Sequence, residues 1–198
     1  MKPIGKLHNG CNARKMPGTG GKAIAGGCLG RDRRGLAAIE FAMALPILLL
    51  LYFGIVEFAQ AITVDRLVGL TAETVTNLVT QYTSISQSAE MPDILDASTQ
   101  ILAPYPAQAA SIVVSLITID STGNATVTWS QAKNGTPRTA GQAFTLPADL
   151  DIPSTSVVFG EVSYPFMPML DYFNLGTINL YSSVYMVPRD ATTINLTP

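Results

Sequence analysis

The residue with the most chemistry to offer is a carboxylate in an apolar setting. Glu40 stands five residues after Gly35, and from Phe41 to Val56 the chain carries 16 uncharged, mostly apolar residues. An acid in such a segment is costly in lipid, about 2.5–3.5 kcal/mol at the centre of a span on insertion scales. Glu40 therefore reads as a functional group awaiting a cationic partner. The plainer reading is a carboxyl snorkelling to the interface near the helix end. The other reactive types lie upstream: the only histidine, His8, and the two cysteines, Cys11 and Cys28, all precede Leu36. Without that stretch the chain has neither residue type. That excludes a disulfide scaffold, a thiol nucleophile, histidine-based general catalysis and an ordinary zinc site.

Several weaker motifs favour plain structural readings. Asp96, Ser98 and Gln100 resemble the first half of the DxSxS metal-dependent adhesion motif of von Willebrand A domains, with Gln100 in place of the last serine; a solvated helix face is the expected reading. Asp149 and Asp151 offer two carboxylates to a calcium loop, which takes several oxygen ligands; the expected reading is a surface turn between Pro147 and Pro153. The Asn-x-Thr triplets at 124, 134 and 195 match a glycosylation pattern that arises by chance in a Thr-rich chain. Tyr164 to Leu170, with two prolines among aromatics and methionines, reads either as an apolar loop that docks a partner subunit or as one folded back over its own sheet. No metal or cofactor is expected.

Positioning Glu40 is the work of the apolar segment. With Leu36 to Ile39 added, its length approaches the ~20 residues that cross a bilayer as a helix, with a bend expected at Pro46. Charge gives an orientation. Before Leu36 there are eight Lys or Arg against one acid, net +7, and the remainder has four bases against thirteen acids, net −9, so the formal total of −2 hides a divided molecule. Basic residues beside a span stay in the cytoplasm, which sends the chain after about Ala61 across the membrane. Residues 1–35, rich in Gly, Lys and Arg and lacking apolar periodicity, read as a leader. They have no interleaved aromatics, which argues against nucleic-acid binding. Arg33-Arg34 needs no export signal to explain it, because a charged anchor flank does so equally well.

Three fates of the N-terminus compete. A lipoprotein cut at Ala25-Gly-Gly-Cys28 lacks the preceding apolar stretch. A secretory cut after Ala61 matches a small-x-small pattern, but its apolar region exceeds the usual 7–15 residues. The third is a cut between Gly35 and Leu36, which rests on a resemblance. Gly35 followed by Leu-Ala-Ala-Ile and then Glu40-Phe41 resembles a prepilin processing site, and GLAAIEFAMALPILLLLYFGIVEF is similar to the N-terminal signature of the TadE-like family, pseudopilins of the tight adherence (Flp pilus) apparatus. VVFGEVSYPFMPML at 157–170 and VPRD at 187–190 agree with it more loosely. The resemblance implies cleavage by a prepilin peptidase at Gly35 and Leu36, an assembly role for Glu40 and Phe41, and partners among pilins, pseudopilins and the inner-membrane machinery of tight adherence. It implies no catalytic residues. The competing class is a signal-anchored or secreted periplasmic binding or adhesion domain.

The rest of the chain reads as α+β: a long transmembrane helix extending onto a small pilin-like domain with an antiparallel sheet of about four strands. The expected organisation is a leader at 1–35, a span at 36–61, a helical extension at 62–90 and a periplasmic head at 91–198. In the extension, Ile62, Leu67, Leu70, Leu78 and Val79 form an intermittent apolar stripe, with Asp65, Arg66 and Glu73 polar. Pro92-Asp93 opens a short helix that Pro104 closes, with Ile94, Ser98, Ile101 and Leu102 on one side. Strands are expected at 111–119, 125–131, 155–164 and 177–187, the first two joined as a hairpin through Asp120 to Asn124. Alternation of Val127 and Trp129 with Thr126, Thr128 and Ser130 predicts one wet face for the second strand. In the last strand Ile178, Leu180, Val184 and Met186 share a face. Laying the long helix across this sheet buries these faces.

Overall fold

The computed structural model describes residues 34–168, 176–189 and 192–198. His8, Cys11, Cys28, Arg33, Met169, Leu170 and Asp190 lie outside the described residues. The chain divides into two compact units, Met1–Pro46 and Ile47–Pro198. In the first, the described residues are helical and exposed from Gly35 onward. They open helix α1, Arg34–Thr80, which continues through Pro46.

The second unit is α+β. After α1 come β1 (Ser84–Ser86), α2 (Glu90–Thr99), β2 (Ser111–Ile119), β3 (Ala125–Lys133), β4 (Ser156–Phe166), β5 (Ile178–Met186) and β6 (Asn195–Thr197). The four central strands form an antiparallel sheet in the order β3-β2-β4-β5, and β1 and β6 form a parallel pair. The four expected strands are all present. The pair β1/β6 was not anticipated, because three-residue strands carry too little alternation to register.

Helix α1 lies across one face of the sheet. Its buried seam is Val64, Val68, Ala72, Val75 and Val79, joined in one core with Ile112, Val114, Leu116, Val158, Val162, Tyr164 and Phe166. The seam differs from the expected stripe: Val79 belongs to it and Leu67 and Leu78 flank it, but Ile62 and Leu70 are exposed. The reason is a close approach. A Cβ on Gly160 would lie 2.0 Å from Thr76 Oγ1 and 3.5 Å from the Ala72 carbonyl, so β4 leaves room beneath α1 only for small and β-branched side chains. Thr76 turns its hydroxyl back to the Ala72 carbonyl at 2.6 Å, satisfying a group that is otherwise sealed from water.

The helical extension ends at Thr80, close to the end expected at about Tyr82 and short of the domain bound at 90. Gln81 and Tyr82 donate to the carbonyls of Leu78 and Val79, tightening the last turn, and the Thr80 carbonyl accepts from the distant Arg189 N–H at 3.1 Å. The Arg189 guanidinium also donates to Asn77 Oδ1 at 2.9 Å. The C-terminal segment thus caps the helix, an arrangement that local propensity cannot reveal. Ile194 anchors this segment: it is buried, and its carbonyl accepts from Trp129 Nε1 at 2.8 Å.

In β3, Thr126 and Thr128 are exposed and Val127 and Trp129 buried, as the alternation predicts, but not because one face is wet. Trp129 pairs with Leu116 and Val127 with Ile117, so Thr128 is a bulge. Leu116 and Ile117 point to opposite faces, and the bulge sends Trp129 and Val127 to opposite faces with them. Trp129 joins the core under α1, whereas Val127 faces the other side, which the connection 134–155 covers. There Phe144 lies 5.3 Å from Phe159, Phe159 stacks on Tyr185 at 4.4 Å, and Arg138 sits over both phenylalanine rings. Arg138 pairs with Glu161, which also accepts from the Tyr181 hydroxyl at 2.7 Å. The carboxylate hydrogen bond holds the Arg138 guanidinium even more firmly in its charged form.

Candidate functional site

The site is the N-terminal part of α1. Leucine, isoleucine and alanine around Glu40 are compatible with a helix throughout, and all of them project outward: Leu36 and Phe41 are 59% and 61% exposed. Gly35 has nothing within 4 Å of a Cβ position, so its backbone is open to approach. Glu40 follows Leu36 by four residues, which puts both on one helix face. The helix has a window long and apolar enough to cross a membrane, and none of that window is buried. Exposed Ile47, Leu48, Leu51, Tyr52, Ile55 and Phe58 continue the same surface. In water such a surface is a liability, and in a bilayer it is the solvated state. The structure places Gly35, Leu36, Glu40 and Phe41 on two successive turns of α1.

The demoted motifs fall apart in space. Asp96 is exposed and pairs with Lys133, while Ser98 is buried and donates to the Ile94 carbonyl at 2.7 Å, so the two side chains diverge as positions on a helix two residues apart must. Asp151 lines a shallow cavity of about 450 Å³ with Gly123, Asn124 and Phe144. Among the described residues no group of three or more His, Cys, Asp or Glu could hold a metal ion. Asp120 organises the hairpin instead: it accepts from the Thr122 hydroxyl at 2.7 Å and from the backbone N–H of Asn124 at 2.9 Å. These bonds, that of Thr122 foremost, hold its carboxyl well below the usual carboxylate range. Asn124 and Asn134 are tied by their own amides to Asp120 and to the Gln108 and Ala110 carbonyls, and Asn195 lies exposed in β6.

The segment from Tyr164 is less of a loop than its prolines suggest. Tyr164, Pro165 and Phe166 complete β4, and both aromatics are buried in the core. Pro165 fits because β2 pairs with β4 only as far as Ser163; beyond it the strand has an open side that needs no N–H donor. Met167 is the exposed member, at 72%. Residue types alone missed Gly160 and the Arg138–Glu161–Tyr181 cluster. The first was legible as valine and alanine at helical spacing from 64 to 79; the second has no sequence signal, since its members come from three separate segments.

These features define a class: a small α+β head on a long N-terminal helix whose uncovered apolar part is a candidate membrane anchor. The family model described as TadE-like protein matches residues 35–75, beginning at the glycine of the expected cut and ending in the seam of α1. The similarity inferred from Gly35, Glu40 and the apolar run is borne out over that segment. No curated protein and no solved structure gives a significant match.

Proposed function

We propose that the chain is a minor pseudopilin of the tight adherence apparatus, cut by a prepilin peptidase between Gly35 and Leu36, that acts in assembling or anchoring Flp-type pili. The observation that carries this reading is the family match over residues 35–75, which takes in Gly35, Glu40 and the uncovered apolar helix together. In this reading the basic leader stays in the cytoplasm and the head is periplasmic, following the charge asymmetry. The span sits in inner-membrane lipid. Its free α-amino group at Leu36, in a neighbouring subunit or its own, is the partner of Glu40, and Phe41 packs beside that pair. The role is structural rather than catalytic. It involves the peptidase, other pilins or pseudopilins and the tight adherence inner-membrane machinery, with no nucleic acid.

The mature N-terminus tests it. Intact mass or N-terminal sequencing of the protein from membranes should give Leu36 as the first residue; Ile62 would establish a secretory signal, and an intact leader would favour a signal-anchored binding domain. A companion variant probes the cut itself. A peptidase needs close access to the backbone at Gly35, and a β-branched side chain obstructs it. Gly35→Val should therefore accumulate full-length precursor on immunoblots, and normal processing of that variant would remove this bond as the cleavage site.

A further inference from the structure

The membrane-facing rim of the head can be located from contacts between α1 and the sheet. A Cβ on Gly69 would lie 3.9 Å from Ser182 Oγ, Gly160 lies under Ala72 and Thr76, and Asn77 and Thr80 meet Arg189. Moving up α1 thus means moving up β5, from Ser182 to beyond Met186. Moving down leads the other way, to Ile178 and to its register partner Phe166 at the end of β4. Ser182 to Ile178 is about 13 Å of strand. Projected onto the axis of α1, that length corresponds to about nine residues if helix and strand are parallel and to fewer if they are inclined. Phe166 and Ile178 therefore sit level with roughly Gln60 to Thr63.

That level is where the apolar surface of α1 gives out. Phe58 is 68% exposed and Ile62 is 43% exposed; polar residues enter here with Glu57 and Gln60, and Asp65 and Arg66 follow about one turn after Ile62. A bilayer measures about 30 Å across its hydrocarbon and about 40–45 Å with headgroups, which leaves about 5–7 Å of interfacial layer on each side. Among the described residues, those at this height carry no charge. Met167 and Ile178 are exposed, and no residue of Tyr164 to Pro168 or Gly176 to Leu180 is charged. The opposite end of the sheet carries Asp120 at its hairpin and Arg189 beyond β5.

We propose that this rim, Met167, Pro168 and Ile178, at about the height of Ile62 of α1, rests in the interfacial layer of the bilayer and gives the head a second, shallow attachment to lipid. The proposal rests on reading α1 as a membrane span. Its chemistry is that of interfacial anchoring, in which a few apolar side chains enter the boundary between headgroups and acyl chains. The consequence is a head held at a fixed tilt over the membrane instead of swinging on the helix.

The test uses the full chain with Cys11→Ser and Cys28→Ser, reconstituted into phosphatidylethanolamine/phosphatidylglycerol vesicles. Single cysteines replace Met167, Ile178, Leu50 in the span, or Ser121 in the far hairpin, each carrying an environment-sensitive fluorophore. Labels at Met167→Cys and Ile178→Cys should be blue-shifted and lose more emission to nitroxide lipids labelled near the headgroup than to those labelled deep in the chain. The Leu50→Cys label should show the reverse depth preference, and the Ser121→Cys label neither effect. If the rim labels behave like that at Ser121 while the Leu50 label is quenched, the proposal is overturned and the span reading stands. A blue shift without lipid quenching identifies a protein contact and overturns it equally. No quenching at Leu50 takes away the span reading itself, and this proposal with it.

Discussion

Glu40→Ala is expected to abolish pilus production and cross-linking to partner pilins while leaving cleavage and membrane level near normal. The variant removes a charge from an apolar helix, so insertion of the single protein should be unimpaired or slightly easier on insertion scales. Assembly is different. The α-amino group of a neighbour loses its partner in a medium where an unpaired charge is expensive, and breaking a buried pair by deleting one member costs about 3–5 kcal/mol. A loss of that size per contact corresponds to more than a hundredfold in an equilibrium constant. Electron microscopy for pili, alongside immunoblots of membranes, separates the two steps. Normal piliation would reduce Glu40 to a carboxylate at the membrane interface with no special function.

Gly160→Val is expected to destabilise the head by about 1–3 kcal/mol, the usual range for forcing volume into a filled core. The glycine is needed because a Cβ there would come within 2.0 Å of Thr76 Oγ1 and 3.3 Å of Thr76 Cβ. Thr76 cannot simply turn aside, since its hydroxyl is committed to the Ala72 carbonyl and leaving a buried hydroxyl unpaired costs about 1–3 kcal/mol. Gly160→Ala should therefore cost less than valine, and most of that smaller loss should vanish in a Thr76→Ala background, where only the tight Cβ approach remains. Chemical unfolding of the full chain in detergent, run as a double-mutant cycle, measures the coupling. Wild-type stability of Gly160→Val would mean that α1 is not seated on β4.

Much of the molecule was legible in the residues because its signals are local. An uninterrupted apolar run reports its own length, and the lone Glu40 announces itself against that background. The apolar, β-branched runs at 111–119 and 155–164 mark strands wherever they come to lie, and Asp120 to Asn124 closes a hairpin through bonds among five consecutive residues. What the residues alone misplaced depends on a partner distant in sequence. Leucines 67, 70 and 78 look like the buried stripe of α1, yet the seam runs through smaller valines and Ala72, because the helix meets a glycine more than eighty residues later. The last turn of the helix, at Thr80, is capped by the backbone N–H of Arg189, a partner that no local signal indicates. Val127 and Trp129 are both buried but on opposite faces, since a bulge at Thr128 is set by pairing with β2 and not by β3 itself. The long apolar helix, the four strands and the place of Glu40 were legible in the residues because all are properties of contiguous side chains. Which surface of α1 is buried and how its last turn is capped were decided by the tertiary structure, because each depends on steric contact or a hydrogen bond between segments that meet only in the folded chain.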